Sequence, residues 1–356
     1  MNKKSVTGKF WDRGHYDLSG DIDLLIDRSR LDLDKIAGKK ILVTGGTGFF
    51  GIWLVLALIE IKKRVKGDLE IYLISRDPAA FLARHAQHVI EGSVTFLAGD
   101  IKTINIRRDI AATHVFHMAT SSAAETFGDE KSINKLDVLY QGTRNVVEQL
   151  PDTTEAVLFT SSGVAYGDVS TDAISENHLG SFDSMDPNSG LGIGKLSAEH
   201  LIGGYAREKG YKFSIARCFS FAGPYLPLDL HYAFGNFVRQ SLRGENITIK
   251  GDGQDRRSYL YIGDAIAWLL RLIFEPRDSI FNVGSDEAVT IKELAEKINM
   301  ITNSRGSILI ENKSTLTGNF RRKNYVPNTS KIRRTYTELH QWTSLDEAIK
   351  RTLQIG

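Results

Sequence analysis

The glycine-rich turn Gly45-Gly-Thr-Gly48-Phe-Phe-Gly51 stands between a short apolar run, Ile41-Leu-Val, and a helical stretch over 49–63. Of all the features in the chain it constrains the fold most, because a strand that passes directly into a helix through glycines defines a β-turn-α unit. Further apolar runs follow at Ile71-Tyr-Leu-Ile, Val94-Thr-Phe-Leu, Val115-Phe-His-Met and Ala156-Val-Leu-Phe, the last behind a helical segment at 132–150. Short apolar strands alternating with helices predict an α/β fold, a doubly wound parallel sheet covered on both faces. The helix at 51–61 is apolar all round, as a helix buried under such a sheet should be.

Beyond Gly223-Pro224 the alternation weakens. Helices at 232–243, 264–274, 290–301 and 344–353, with strands at Ile247-Thr-Ile and Ile280-Phe-Asn-Val, imply a smaller α/β C-terminal lobe. Residues 1–37 are polar and irregular, with a short amphipathic patch between Asp21 and Ile36, and are taken as an N-terminal extension. The sheet domain is then expected over 38–222 plus about 256–280, and the lobe over 223–255 and 281–356.

Composition limits the partners. The 356 residues are 42% apolar and 25% charged with seven prolines, a globular composition long enough for two lobes. Forty-five basic against forty-three acidic residues leave a net charge of +2, too balanced for a protein that lives on nucleic acid. The single cysteine, Cys218, excludes an intrachain disulfide and a four-thiolate zinc site, and fits a reducing, cytoplasmic setting. The longest apolar stretch ends at Glu60, short of a membrane span, and no apolar segment follows Lys3-Lys4 to make a secretory signal.

The chemistry of the glycine turn is that of anion binding. Gly45 permits a tight turn, Gly48 lets a pyrophosphate approach the backbone, and Gly51 lets helix and strand pack closely, while the helix N-terminus offers N–H groups and a dipole. An adenine dinucleotide is the expected ligand. The second strand ends Ser75-Arg76-Asp77. Ser75 and Arg76 favour NADP, since a guanidinium pairs with a 2′-phosphate, whereas Asp77 keeps NAD open. Asp100, after the third strand, either accepts from the adenine amino group or simply forms a turn.

Gly45-x-x-Gly48-x-x-Gly51, Gly99-Asp100, His117-Met-Ala-Thr120, Ser161-Ser-Gly-Val-Ala-Tyr-Gly167 and Lys195 together resemble the extended short-chain dehydrogenase/reductases. The nearest branch is the NAD-dependent epimerase/dehydratase family acting on nucleotide sugars. Arg217-Cys-Phe-Ser-Phe-Ala-Gly-Pro224, the segment from Gly251 to Asp264 and Asn282-Val-Gly284 extend the resemblance to most of the chain after residue 38. It implies a Rossmann-type domain and a lobe that grips a nucleotide-diphosphate sugar. It also implies cofactor contacts from Thr47, Phe49, Phe50, Ile101, Ala119 and Lys195, and a diphosphate contact from Arg257. Asn236 would lie on a helix lining the nucleotide pocket. Ser162 would steady the substrate oxygen, no metal would be needed, and the family analogy suggests a homodimer through helices near 132–150 and 193–208.

One element of the family pattern is missing. A tyrosine four residues before the lysine normally takes the proton of the sugar hydroxyl as hydride leaves, but that position is Leu191. Another group (neutral Lys195, Tyr166, Glu125 or water) could move the proton, or the substrate could need less help. Alternatively the chain binds cofactor and nucleotide sugar without turnover, or Leu191 is a deliberate substitution. Gly163 and Val164 stand where the 4,6-dehydratase branch has acidic residues, which favours a 4-epimerase or 4-keto oxidoreductase over a dehydratase. Leu139 and Ser220 also replace asparagines common in the family. His85 and His88 are read as a solvated helix face, Phe10, Trp11 and Tyr16 as core cover, and Arg321-Arg-Lys323 as a solvated loop.

Overall fold

The computed structural model describes residues 17–84, 90, 92–120, 132–228, 232–311 and 323–353. Its centre is a seven-stranded sheet built from β1 (Lys40–Thr44), β2 (Glu70–Ser75), β3 (Thr95–Ala98), β4 (His114–His117), β5 (Ala156–Ser162), β6 (Lys212–Cys218) and β11 (Ser279–Val283). Every neighbouring pair is parallel, in the order β11-β6-β5-β4-β1-β2-β3. The strand order reverses between β1 and β4, the place where open parallel sheets leave a crevice at their carboxyl edge.

Alternation along the strands sends side chains into two layers. Ile41, Val43 and Leu158 face a core that includes α2 (Phe49–Arg64), while Leu42, Val157 and Phe159 face the other side. There α4 (Ser132–Glu148) packs along α5 (Gly190–Lys209). In α2, Ile52 to Val55, Ala57 to Ile59 and Ile61 are all buried, in line with its all-round apolar sequence. α3 (Pro78–Arg84) follows β2.

The second lobe contains α6 (Ala233–Leu242), β8 (Ile247–Ile249), β9 (Arg256–Arg257), β12 (Val289–Thr290), α8 (Ile291–Thr302), β13 (Ile308–Ile310) and β14 (Asn324–Tyr325). β8 pairs with β13, and β9 pairs with both β12 and β14. β7 (Phe221–Ala222) and β10 (Leu260–Tyr261) form a small parallel pair, and α7 (Ile262–Phe274), α9 (Ser330–Thr335) and α10 (Leu345–Leu353) complete the chain.

Two expected boundaries move. β11 lies in the main sheet beside β6, so the sheet domain takes in 279–283 instead of stopping at about 280. The segment before β1 is not wholly an outlying extension. α1 (Ser19–Ser29) buries Ile22, Leu25 and Ile26 against α2 and α7, and Arg28 reaches the fully buried Asp264 at 2.9 Å. Asp264 also accepts from the backbone N–H groups of Trp342 and Thr343, so one carboxylate joins α1 to the segment just before α10. Phe10, Trp11, Tyr16, Glu125, His85, His88, Arg321 and Arg322 lie outside the described residues. Among the described residues no helix is long and apolar enough to cross a membrane.

Two histidines on β4 are carried inside the fold. Burial pushes His117 down to about 3 and His114 down to about 4. Each binds a proton more readily unfolded, near 6.5, than folded, so stability falls as pH drops from about 6.5 toward those values. Acidification from pH 7 to pH 5 is expected to cost about 2 kcal/mol for each histidine. Urea unfolding at the two pH values measures this, and an unchanged midpoint would mean that both side chains charge within the native state.

Candidate active site

The glycine turn is built by close approach. Gly45 has φ of +72°, and a Cβ on it would sit 2.7 Å from the Ala119 nitrogen and from the Met118 carbonyl. A Cβ on Gly51 would lie 2.2 Å from the Gly46 carbonyl carbon, so the first turn of α2 rests directly on the loop. Gly48 is the N-cap of α2 and supplies no side-chain cap, leaving the first-turn N–H groups available to an anion. Thr47 and Gly48 are exposed at the turn, and Phe49 and Phe50 are half-buried beneath it. These residues fit the pyrophosphate of a dinucleotide.

A buried hydroxyl–imidazole chain fixes the turn to the neighbouring strand. Thr44 Oγ1 accepts from the N–H groups of Met118 and Ala119, each at 3.1 Å, and lies 2.8 Å from His117 Nδ1. With its lone pairs so used, the Thr44 hydroxyl donates to Nδ1, and the imidazole proton sits on Nε2, which donates to Thr143 at 2.9 Å. The histidine is therefore a neutral connector, consistent with its depressed pKa. This role was invisible in the sequence because Thr44, His117 and Thr143 come from three separate elements.

At the end of β2, Ser75 is buried and accepts from the Asp77 N–H, whereas Arg76 is exposed. The Asp77 carboxylate accepts from Ala80 N at 2.9 Å, at the start of α3. Asp100 makes the turn foreseen as one of its two readings, accepting from the Lys102 N–H at 2.8 Å, and Ile101 beside it is buried.

Ser162 ends β5, and Lys195, one turn into α5, is buried behind that strand. Lys195 Nζ donates to the Thr160 carbonyl at 2.8 Å and lies 5.0 Å from the centre of the Phe159 ring. Burial pushes its pKa down to about 8. Leu191 occupies the first turn of the same helix, half-buried. Tyr166, one of the substitutes considered for the missing phenol, is unsuited to the task. It is almost wholly buried, donates to Asn282 Oδ1 at 2.7 Å, carries the Arg217 guanidinium on its face at 4.3 Å, and is pushed up to about 12 by burial.

Arg217 also makes a buried, two-pronged pair with Glu199 at 2.9 and 2.7 Å, and Ser161 donates to the same carboxylate. This network ties β5, α5 and β6 together beside Ser162, and was also missed from the sequence. In the second lobe, Arg257 is half-buried on β9 and donates to the carbonyls of Arg256 and Lys323. Asn236 lies on α6 and accepts from Arg239. A further residue went unrecognised: Tyr325 on β14 places its hydroxyl 3.4 Å from Ser162 Oγ. The two are 163 positions apart, so no local pattern could join them. Among the described residues no cluster of three or more metal-ligating side chains occurs.

Comparison with known proteins decides the family. The model of the NAD dependent epimerase/dehydratase family matches residues 41–284, which hold both the glycine turn and Lys195. The chain belongs to this family of enzymes. Among its relatives, UDP-glucuronic acid decarboxylase 5 of Arabidopsis thaliana is 29% identical over 279 residues, covering 78% of this chain and 79% of the relative. A UDP-N-acetyl-alpha-D-glucosaminuronate decarboxylase of Bacillus cytotoxicus is 26% identical over 324 residues, covering 89% and 97%. The solved UDP-glucuronic acid 4-epimerase of Bacillus cereus, in complex with UDP-glucuronic acid and NAD, superposes with a TM-score of 0.74 at 22% identity, covering 88% of this chain and 98% of its own. That likeness supports the Rossmann-type sheet and the smaller lobe of this enzyme.

Two outcomes test the site. Lys195 should titrate near pH 8 by NMR of isotope-labelled lysine, well apart from exposed lysines near 10.4, and titration with that bulk would contradict its burial. Gly45→Val should abolish dinucleotide binding in calorimetry and lower stability by about 1–3 kcal/mol, because the branched side chain meets the Ala119 backbone in a left-handed conformation. Unaltered binding would contradict the cradle.

Proposed function

We propose that this enzyme oxidises a hydroxyl on the sugar of a nucleotide-diphosphate sugar, passing hydride to bound NAD or NADP, and works as a 4-epimerase or 4-keto oxidoreductase. The observation that carries this reading is the convergence at one sheet edge of the glycine cradle, Ser162 and buried Lys195. A dinucleotide supplies hydride transfer there when bound. The chain's own groups bind and orient: the α2 N-terminus takes the pyrophosphate, Lys195 takes the ribose, Ser162 holds the sugar oxygen, and Arg257 pairs with the diphosphate. Arg257 now spends donors on two backbone carbonyls, and forked phosphate contacts would compete with them.

The choice of coenzyme follows from the end of β2. Ser75 and exposed Arg76 stand at the end of β2, where the adenosine ribose of a dinucleotide would lie, and a guanidinium there favours NADP. Calorimetry should then give tighter binding of NADP than of NAD, and Arg76→Ala should weaken NADP at least tenfold while leaving NAD within about twofold, tenfold being about 1.4 kcal/mol. Equal affinities in the unaltered enzyme would remove the NADP preference.

The curated relatives named as decarboxylases favour a second reading. Oxidation at C4 of a hexuronic acid yields a β-keto acid, which either loses carbon dioxide or is reduced again at C4, so one shared first step leads to a decarboxylase or to an epimerase. NMR of UDP-glucose, UDP-N-acetylglucosamine and UDP-glucuronic acid after incubation with the enzyme and either coenzyme separates the outcomes. An inverted C4 supports the epimerase, a 4-keto sugar the oxidoreductase, and a pentose with released carbon dioxide the decarboxylase. Tight binding of coenzyme and sugar with every sugar unchanged would support a silent relative instead.

A further inference from the structure

We propose that Tyr325 supplies the phenol that position 191 lacks, accepting the proton of the sugar hydroxyl held on Ser162. The inference rests on the sugar-oxidising function above and deepens it by naming a proton carrier that lies outside the family pattern. Its starting point is the pair of hydroxyls, Tyr325 OH and Ser162 Oγ, 3.4 Å apart. Two groups at that separation can both reach one substrate oxygen about 3 Å from each, which is the arrangement a proton transfer at that oxygen requires.

A second observation ties the phenol to the departures noted around Ser162. A Cβ on Gly163 would stand 2.7 Å from the Tyr325 hydroxyl and 2.9 Å from its Cε2. Any side chain at 163, including an acidic one, would therefore push the phenol away from Ser162.

The phenol is also held in place. β14 pairs with β9 in parallel, setting Tyr325 opposite Arg257, so the strand proposed to grip the diphosphate fixes the register of the tyrosine. Just beyond it, Ile174 N donates to the Val326 carbonyl at 2.9 Å, and Asn328 N donates back to Ile174 O at 2.8 Å. The ring lies against Phe219 with centroids 4.8 Å apart. Tyr166 donates to Asn282 within the core, and Lys195 is buried behind β5 with a donor on the Thr160 carbonyl.

The step balances. Tyr325 first gives its own proton to solvent water, its ring being only half-buried; the phenolate oxygen then takes the sugar O–H proton, the C–H bond breaks with its electron pair going to the oxidised dinucleotide, and the sugar carbon is left as a carbonyl. The sugar is oxidised and the dinucleotide reduced.

Tyr325→Phe keeps the ring on Phe219 and removes only the hydroxyl. In the full chain with saturating coenzyme and UDP-glucose or UDP-glucuronic acid, single-turnover formation of reduced coenzyme should fall by about 10²–10⁴-fold. Calorimetric affinity for the UDP-sugar and the melting temperature should stay close to those of the unaltered enzyme. Leu191→Tyr introduced into the Tyr325→Phe chain should recover at least tenfold, an effect a packing role for Tyr325 would not give. Turnover of Tyr325→Phe within twofold of the unaltered enzyme overturns the inference while leaving the proposed function standing. A fall matched by an equal loss of UDP-sugar affinity overturns it too, reducing Tyr325 to a contact residue. If the unaltered enzyme itself reduces no coenzyme with these sugars although it binds them, the function fails first and this inference with it.

Discussion

The contact of Gly51 with the carbonyl carbon of Gly46 sets the geometry on which the rest of the molecule depends. It lets α2 begin directly at the carboxyl end of β1, so that uncapped N–H groups face the crevice where the strand order reverses. Thr44 and neutral His117 then clamp β1 to β4 at the same level, and Thr143 extends the clamp to α4. A side chain at the loop would separate helix from strand, and a charged imidazole would break the hydroxyl chain. Anion binding and sheet packing are in this sense consequences of one close approach.

Rigidity on the other side of the crevice comes from buried polar pairing. Glu199, Arg217 and Ser161 hold α5 against β5 and β6, while Tyr166 and Asn282 extend the network to β11. Removing one partner from such a buried pair leaves an uncompensated charge and costs about 3–5 kcal/mol, so the network acts as a scaffold for its neighbours Ser162 and Lys195. Reacting groups on such a scaffold keep their spacing without a bound ligand, and proton transfer depends on that spacing.

Much of this is legible in the amino-acid sequence. The alternation of apolar strands and helices predicts the sheet and its helical layers, and the turn after Ile41-Leu-Val is legible as a candidate anion site because Gly45, Gly48 and Gly51 lie close together in sequence. Lys195 and Ser162 could be placed because each sits in a local motif. What escaped was everything that depends on distant segments meeting. β11 was assigned to the lobe because its strand follows a stretch of weak alternation, yet it pairs with β6. Residues 19–29 looked peripheral because their polar face dominates, although Ile22, Leu25 and Ile26 enter the core. Tyr325 had no surrounding motif at all, and only the pairing of β14 with β9 brings it to Ser162.

The most direct test of the account is a crystal structure of the enzyme with its dinucleotide. Pyrophosphate oxygens within hydrogen-bond distance, about 2.7–3.2 Å, of the first-turn N–H groups of α2, with the nicotinamide turned toward Ser162, are the predicted result. A dinucleotide seated elsewhere, or a glycine turn closed over by protein atoms with the ligand excluded, would contradict it.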